Sequence, residues 1–283
     1  MQTTQLITEF PPDSSLSNVR KGKRVRPRRV MVYGVHAIGK STFAASAPSP
    51  IFIPTEDGLD DIDCESFPCS ESWLEFRQNL VTVLNSDHTY QTLVIDSADW
   101  LERLIWDQVT SDEGVGNIED IGYAKGYTKA VKYWEKVITA CDLLRERRGM
   151  TVIVLAHSKI EKVESPETDN YDRYSPKLHR HACAILCEWV DELLFACYEV
   201  HTRKIEEGFG KKVIKSIGEG RRVLRTSERP FAMAKSRLEM PYEINLDWQE
   251  YASYCTKPAE KKRKIDVKGM ITNGSSKPTE QPK

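Results

Sequence analysis

The sequence predicts an α/β fold: a mainly parallel twisted sheet flanked by helices and finished by antiparallel strands toward the C-terminus. Two observations carry that expectation. From Val30 onward, short apolar runs alternate with longer stretches of helical period, the pattern of βαβ units around a sheet buried on both faces. In addition, Gly34-Val35-His36-Ala37-Ile38-Gly39-Lys40-Ser41 follows the apolar run Val30-Met31-Val32-Tyr33 and opens a helical stretch, the strand, glycine loop and helix order that cradles phosphate.

At 283 residues with 40% hydrophobic positions, the chain can bury a sizeable core, and one α/β domain with tails accounts for it. The formal net charge of -1 gives no overall pull toward polyanions, so nucleic-acid binding has to come from local basic segments. No apolar run approaches the roughly 18 residues that cross a bilayer. Met1-Gln2-Thr3-Thr4 does not begin a basic-then-apolar leader. The expectation is a soluble, cytoplasmic protein without a membrane partner. Seven cysteines, an odd number with no CxxC pair, are expected as reduced thiols.

Residues 1–27 read as a polar, disordered arm whose end is basic. Arg20, Lys21, Lys23, Arg24, Arg26, Arg28 and Arg29 place seven cations within ten residues, either as a solvated lead-in or as a phosphate-backbone contact. The domain is expected over 28–255. Runs at 29–33, 51–54, 91–96 and 151–156 read as strands, and 71–85, 98–109 and 123–148 as helices between them. The last helix should stop at Arg145-Glu146-Arg147-Arg148-Gly149, where cations and a glycine suit a C-terminus. After 156 the texture changes to a polar loop over 158–176, a helix near 178–190 and a strand at 192–200. Hairpin strands around 211–217 and 221–226 then finish the sheet antiparallel. The segment 256–283, with Lys261-Lys262-Arg263-Lys264 and no aromatic residue, reads as a disordered basic tail.

In the GxxxxGK[ST] pattern the backbone N–H groups of Gly34, Val35, His36, Ala37, Ile38 and Gly39 turn inward around phosphate oxygens. Lys40 then bridges the β- and γ-phosphates, Ser41 offers its hydroxyl to Mg2+, and Thr42 adds an α-phosphate contact. ATP and Mg2+ are the expected ligands. Thr92-Leu93-Val94-Ile95-Asp96 is an apolar run ending in a carboxylate at the C-terminal edge of the sheet, where Asp96 can hold the same Mg2+. Capping the helix that begins near Ala98 is its alternative duty. Hydrolysis also needs a carboxylate to orient water, and the candidates are Glu56 and Asp99. Glu56, just past the strand Ile51-Phe52-Ile53-Pro54, is the preferred one because no acidic residue immediately follows Asp96.

Taken together, these residues resemble the core of RecA-type recombinases and of phage-encoded RecA-like ATPases linked to single-strand annealing, over about 28–247. The resemblance implies a RecA-like P-loop core with its catalytic glutamate at Glu56 and its Walker B pair at Asp96-Ser97. It implies a γ-phosphate sensor at the end of the strand Thr151–Ala156. RecA has glutamine there and this chain has His157, whose neutral imidazole can still donate one hydrogen bond. Ala234-Lys235-Ser236-Arg237 resembles the Lys-x-Lys or Lys-x-Arg element that such subunits insert into a neighbour's nucleotide site. On that resemblance Arg237 is the finger and Lys235 its companion.

The same resemblance places DNA-binding loops at about 112–127 and 158–176. Tyr123, Lys125 and Tyr127 in the first, and Lys159, Lys162, Arg173, Tyr174 and Lys177 in or beside the second, combine rings for base stacking with cations for phosphates. Glu161, Glu164, Glu167, Asp169 and Asp172 dilute the second loop. His179, Cys183 and Cys187 share a helical face, but the stretch runs into Ala182, Ala184, Ile185, Leu186, Trp189 and Val190, as expected of a packed helix rather than a zinc site. The expected function is ATP binding and hydrolysis on single-stranded DNA in recombination or annealing. The expected assembly is a homo-oligomer, ring or filament, with a single-strand-binding protein as a further candidate partner. A helicase or helicase-loader motor, or a nucleotide-switched DNA-binding module with little turnover, are the alternative readings.

Overall fold

The structure, a computed structural model, describes residues 19–22, 24–164, 169–199, 201–207, 211–217 and 220–256. Most of the arm expected at 1–27, and the tail beyond Thr256, lie outside the described residues. In chain order the elements are β1 (Arg29–Gly34), α1 (Lys40–Ala45), β2 (Pro50–Pro54), β3 (Glu65–Ser66), α2 (Trp73–Asn85), β4 (Thr92–Asp96), α3 (Ala98–Glu113), α4 (Lys125–Leu143), β5 (Thr151–Val163), β6 (Tyr171–Pro176), α5 (Arg180–Trp189), β7 (Glu192–Tyr198), β8 (His201–Glu207), β9 (Lys211–Ile217), β10 (Arg222–Arg225), β11 (Lys235–Ser236), β12 (Glu243–Asn245) and α6 (Trp248–Thr256).

The main sheet runs β12-β10-β7-β1-β5-β4-β2-β3. From β7 to β3 every pairing is parallel, and β10, β12 and β11 add antiparallel strands on the C-terminal side, as expected from the sequence. Successive side chains of a strand point to opposite faces, so one apolar run serves two layers. In β1, Met31 and Tyr33 face the core shared with α2, α3, α4 and α5, built around Phe76, Leu101, Ile105 and Trp134. Val30 and Val32 face the other core, where Phe43 of α1 meets Trp248 and Tyr251 of α6 edge to face. This double burial is why β1 and β4 read as unbroken apolar runs rather than alternating ones.

Local signals set the helix ends. The Ser72 hydroxyl accepts the Glu75 backbone N–H at 3.3 Å, and the Glu75 carboxylate accepts the Glu71 N–H at 2.8 Å. A hydroxyl cap of this kind contributes about 1 kcal/mol. The helix expected over 123–148 is α4 followed by a single π turn, Leu144–Arg148, and it stops at Gly149 with φ 67°, the left-handed residue that a glycine supplies without strain.

Two expectations are corrected. The segment 158–176 is a β-hairpin and not a loop: β5 continues to Val163 and pairs antiparallel with β6. Ile160 and Tyr174 meet on one face among polar neighbours, so apolar alternation is weak, and the other face carries cross-strand ion pairing. Glu161 lies directly opposite Arg173, at 2.9 Å. The strand at 211–217 does not pair with 221–226. It pairs with β8 in a separate two-stranded sheet, while β10 joins β7 and β12 in the main one. Short connections favour sequence neighbours, and Val223 and Leu224, both fully buried, extend the core beside β7.

Gly126 marks a close approach. A Cβ there would sit 2.6 Å from the Ile118 carbonyl oxygen and 2.7 Å from its side chain. Gly126→Ala is therefore expected to lower the unfolding free energy by about 1–3 kcal/mol despite alanine's better helix propensity. Urea unfolding of the two proteins measures it, and an unchanged or raised midpoint would show that Ile118 gives way freely.

Candidate functional site

The parallel register brings the chemistry-bearing residues to one edge of the sheet. Gly34 pairs with His157 on one side and Ala196 on the other, while Asp96 pairs with Pro54 and with Leu155. The C-terminal ends of β1, β2, β4 and β5 therefore open on a common cleft. The cavity there has a volume of about 330 Å³ and is lined by His36, Lys40, Ser41, Glu56, Asp96 and His157 among others.

The glycine loop owes its path to two positions. At Gly34 a Cβ would lie 2.3 Å from the backbone oxygen of Ala196, so only glycine lets β1 end beside β7. At Gly39 the backbone takes φ 106°, from which the first turn of α1 closes through Phe43 N–H to the Gly39 oxygen at 3.0 Å. Ile38 is fully buried and pins the loop, while Val35, His36 and Ala37 are exposed on it. Lys40 is buried and folds over the loop, its Nζ 3.0 Å from the Val35 oxygen and 3.4 Å from the Gly34 oxygen. Burial pushes its pKa down, against the attraction of Asp96, Glu56 and Asp99.

The Ser41 hydroxyl donates to Asp96 Oδ2 at 2.6 Å. Burial raises the pKa of the Asp96 carboxyl, and the Ser41 hydrogen bond and the Lys40 charge oppose the rise. A hydroxyl and a carboxylate touching beside a phosphate-binding loop form the hard oxygen donor set that Mg2+ takes, together with water and phosphate oxygens. The two residues fit the ion. Ser41 and Asp96 would hold it, and once bound it would neutralise charge on the substrate's terminal phosphates.

Thr55 fixes Glu56 against the end of β4. Its backbone N–H donates to the Asp96 oxygen at 2.7 Å, and its hydroxyl donates to the Ser97 oxygen at 2.7 Å while accepting the Ser97 N–H at 3.0 Å. Glu56 Oε1 then lies 3.9 Å from His157 Nε2. Burial raises the pKa of Glu56. The nearby His157 and a Ser97 hydrogen bond work against the rise, and the Asp96 and Asp99 charges add to it. On the far side of the imidazole, Nδ1 is 3.0 Å from Asp99 Oδ2, and the His157 backbone N–H donates to Asp99 Oδ1 at 2.9 Å. Burial alone would raise the Asp99 pKa, but the hydrogen bonds from His157 and Ser97 outweigh it and hold the carboxyl below the ordinary range. His36 stacks on His157 with centroids 3.8 Å apart, and the proximity of that ring lowers its pKa.

Arg237 and Lys235 lie elsewhere. β11 pairs with Leu193 and Glu192 at the beginning of β7, level with the start of β1, so it sits one strand length, about 16 Å, from the phosphate loop. The Lys235 ammonium donates to the Cys187 and Glu188 carbonyls at the C-terminus of α5. Arg237 is more than half exposed and lies 3.3 Å from Asp191, a buried carboxylate that also binds Arg29 and Arg145. These residues border a cleft of about 710 Å³ into which Arg24, Arg26 and Arg28 also project.

The residues expected to meet DNA divide into two groups. Tyr123 is 98% exposed, and Lys125, Lys162 and Lys177 are exposed as well. Tyr127 stacks on His179 at 4.0 Å, Tyr174 packs against Phe195, Lys159 donates to the Leu178 oxygen, and Arg173 pairs with Glu161 and Glu228. Sequence reasoning missed His36 as a stacking partner, Asp99 as the partner of His157, and Arg222 of β10 in the cavity wall beside Gly39. Their only sequence signals are a variable loop position, a carboxylate three residues after Asp96, and one arginine among many.

A family model described as an AAA domain matches residues 26–238. The chain belongs to the AAA domain family. For this AAA domain a curated relative is the SPbeta prophage-derived uncharacterized protein YorG of Bacillus subtilis (strain 168), 27% identical over 164 residues. That match takes in 55% of this chain and 47% of YorG, so the alignment spans about half the relative's length. Among solved structures, the crystal structure of the RadB recombinase aligns with a TM-score of 0.40 and 14% identity, over 75% of this chain and 87% of that one. Family, glycine loop and sheet together make the chain an AAA-family P-loop core on a mainly parallel α/β sheet.

Glu102, one turn after Asp99 on α3, is buried, and its carboxyl pKa is pushed up to about 7 by burial. Oε2 accepts the His179 N–H at 2.8 Å, and Oε1 has no hydrogen-bond partner among the described residues. The native protein thus keeps this proton to about pH 7, whereas an unfolded glutamate releases it near about 4.3. Stability present below the lower value is lost as pH rises through the upper one. Glu102→Gln should therefore gain on wild type by up to about 2–3 kcal/mol between pH 4.5 and 8. Parallel pH–stability curves for the two proteins would contradict this.

Proposed function

We propose that this AAA domain binds and hydrolyses ATP with Mg2+, and that it does so as a DNA-dependent homo-oligomer, ring or filament, on single-stranded DNA in recombination or annealing. The observation that carries the reading is the meeting of Glu56 and His157 Nε2 at 3.9 Å in the cavity that also holds Lys40 and the Ser41–Asp96 pair. Phosphoryl transfer asks mainly for positioning and for charge aimed at the transferring group. In this reading Lys40 and the loop N–H groups hold the phosphates, Glu56 orients and activates the attacking water, and His157 senses the terminal phosphate.

Supporting the DNA reading, His157 lies on the same strand as the β5–β6 hairpin with Lys159, Lys162 and Arg173, so nucleotide site and hairpin share one rigid element. Exposed Tyr123 and Lys125 add a ring and a cation at the start of α4. Supporting assembly, Arg237 sits on the opposite sheet edge from its own phosphate loop, where it can serve a neighbouring copy's site. The charges are arranged to match. Exposed Asp57, Asp60, Asp61 and Asp63 lie beside the nucleotide cavity, and the arginine cleft lies at the far edge, which suits head-to-tail contact. The prophage origin in the name of the curated relative supports a phage source and action in the host cytoplasm.

ATP turnover with and without single-stranded DNA, for wild type and Glu56→Gln, tests this. We expect DNA to stimulate wild type and Glu56→Gln to lower kcat by about 10²–10⁴-fold with nucleotide still bound. Because Glu56 acts ionised and its pKa is raised, the rate should begin to fall, on acidification, above the ordinary carboxylate range. Unchanged turnover in Glu56→Gln would refute the assignment. Tight binding without turnover would favour the switched binding module, and DNA-driven duplex unwinding the helicase.

A further inference from the structure

The side chain of Asp99 is 3% exposed, and every hydrogen bond its carboxylate makes in the described structure comes from two residues. Oδ1 accepts the His157 backbone N–H at 2.9 Å and the Ser97 hydroxyl at 3.1 Å, and His157 Nδ1 lies 3.2 Å from Oδ1 and 3.0 Å from Oδ2. An ionised carboxylate only accepts, so Nδ1 must carry a proton. Asp99 is thus fully engaged and turned away from the cavity, which removes it as a rival to Glu56. The neighbours of His157 complete the picture. Its ring is buried and covered by His36, and Nε2 faces Glu56.

We propose that Asp99 is a positioning residue that holds His157 in the Nδ1–H form, so that Nε2 presents a lone pair beside Glu56 and accepts a hydrogen bond from the water that Glu56 activates. The inference rests on the proposed ATP hydrolysis, with Glu56 as its base. One chemical consequence revises the expectation that a neutral imidazole donates to phosphate. With Nδ1–H committed to Asp99, Nε2 of the neutral ring is an acceptor, and it donates only when the ring takes up a second proton. A purely structural duty, tying the base of the hairpin to α3, needs only the backbone N–H bond. Glu102 makes that kind of tie just past the other strand of the same base, through the His179 N–H. The bonds to the ring itself are what the positioning role adds.

Asp99→Asn separates the two roles. The side-chain carbonyl can still accept the His157 N–H, while the amide presents a donor to Nδ1 and favours the Nε2–H tautomer. The experiment is long-range 1H–15N NMR of the full chain labelled at histidine, with His157→Gln used for assignment. We expect Nδ1–H for His157 in wild type and Nε2–H in Asp99→Asn. Turnover is read beside it. Asp99→Asn should lower kcat by at least about 100-fold, as an inverted tautomer does in other carboxylate–histidine pairs, with KM for ATP changed only a few-fold. In the His157→Gln background the same substitution should have no further effect on kcat.

An Nε2–H ring in wild type would overturn the proposal, as would an equal loss of kcat from Asp99→Asn with and without His157. If Asp99→Asn fails to fold, the wild-type tautomer decides alone. If wild type hydrolyses no ATP, the proposed function fails while the NMR result still tests the Asp99–His157 relationship.

Discussion

The site depends on the parallel register of β5 between β1 and β4. That register sets His157 beside Gly34 and Leu155 beside Asp96. In a strand of period two, a slip of one residue would turn His157 from one face to the other and bring Ala156 level with the phosphate loop. The register is held by apolar packing on both faces: Val152 and Val154 point into the core with α3 and α4, and Ile153 and Leu155 into the core with α1 and α6. Packing far from the chemistry thus decides which side chain meets Glu56.

Around that frame, charge is segregated although the chain is nearly neutral overall. At the C-terminal edge, Glu56, Asp96 and Asp99 stand within reach of Lys40 and His157, and burial shifts the pKa of each of these carboxylates or is overcome by hydrogen bonds. At the opposite edge, Arg29, Arg145 and Arg237 converge on Asp191, whose carboxyl is held below the ordinary range by Arg29 once its burial is overcome. Buried charges of this kind require their partners, since removing one leaves the other stranded. The two edges therefore have opposite characters, one carrying the glycine loop with its carboxylates and the other rich in guanidinium groups.

Much of the fold could be read from local features. The glycine loop was visible because Gly34 and Gly39 answer backbone demands that no other residue meets, and β4 because an apolar run ends in Asp96. Less visible were features made by tertiary proximity. The hairpin 158–176 hid behind polar strands whose stability lies in pairs such as Glu161 and Arg173. The partner of β9 could not be read from the sequence, because β8 and β10 both lie within a few residues of it. Asp99 and His157 stand 58 residues apart, and nothing in the sequence marks one as the partner of the other. Likewise, Tyr174 reads as a ring for base stacking, whereas its place beside Phe195 in the core follows from the way β6 folds back.

The most direct test of the account is a structure of the protein bound to a non-hydrolysable ATP analogue, Mg2+ and single-stranded DNA, determined by electron microscopy. We expect phosphates over the glycine loop with Lys40 at the β- and γ-positions and Mg2+ at Ser41 and Asp96. Glu56 and His157 Nε2 should face the terminal phosphate, with Arg237 of an adjoining copy across from them. A triphosphate bound away from Lys40, or a terminal phosphate that Glu56 and His157 do not face, would contradict it.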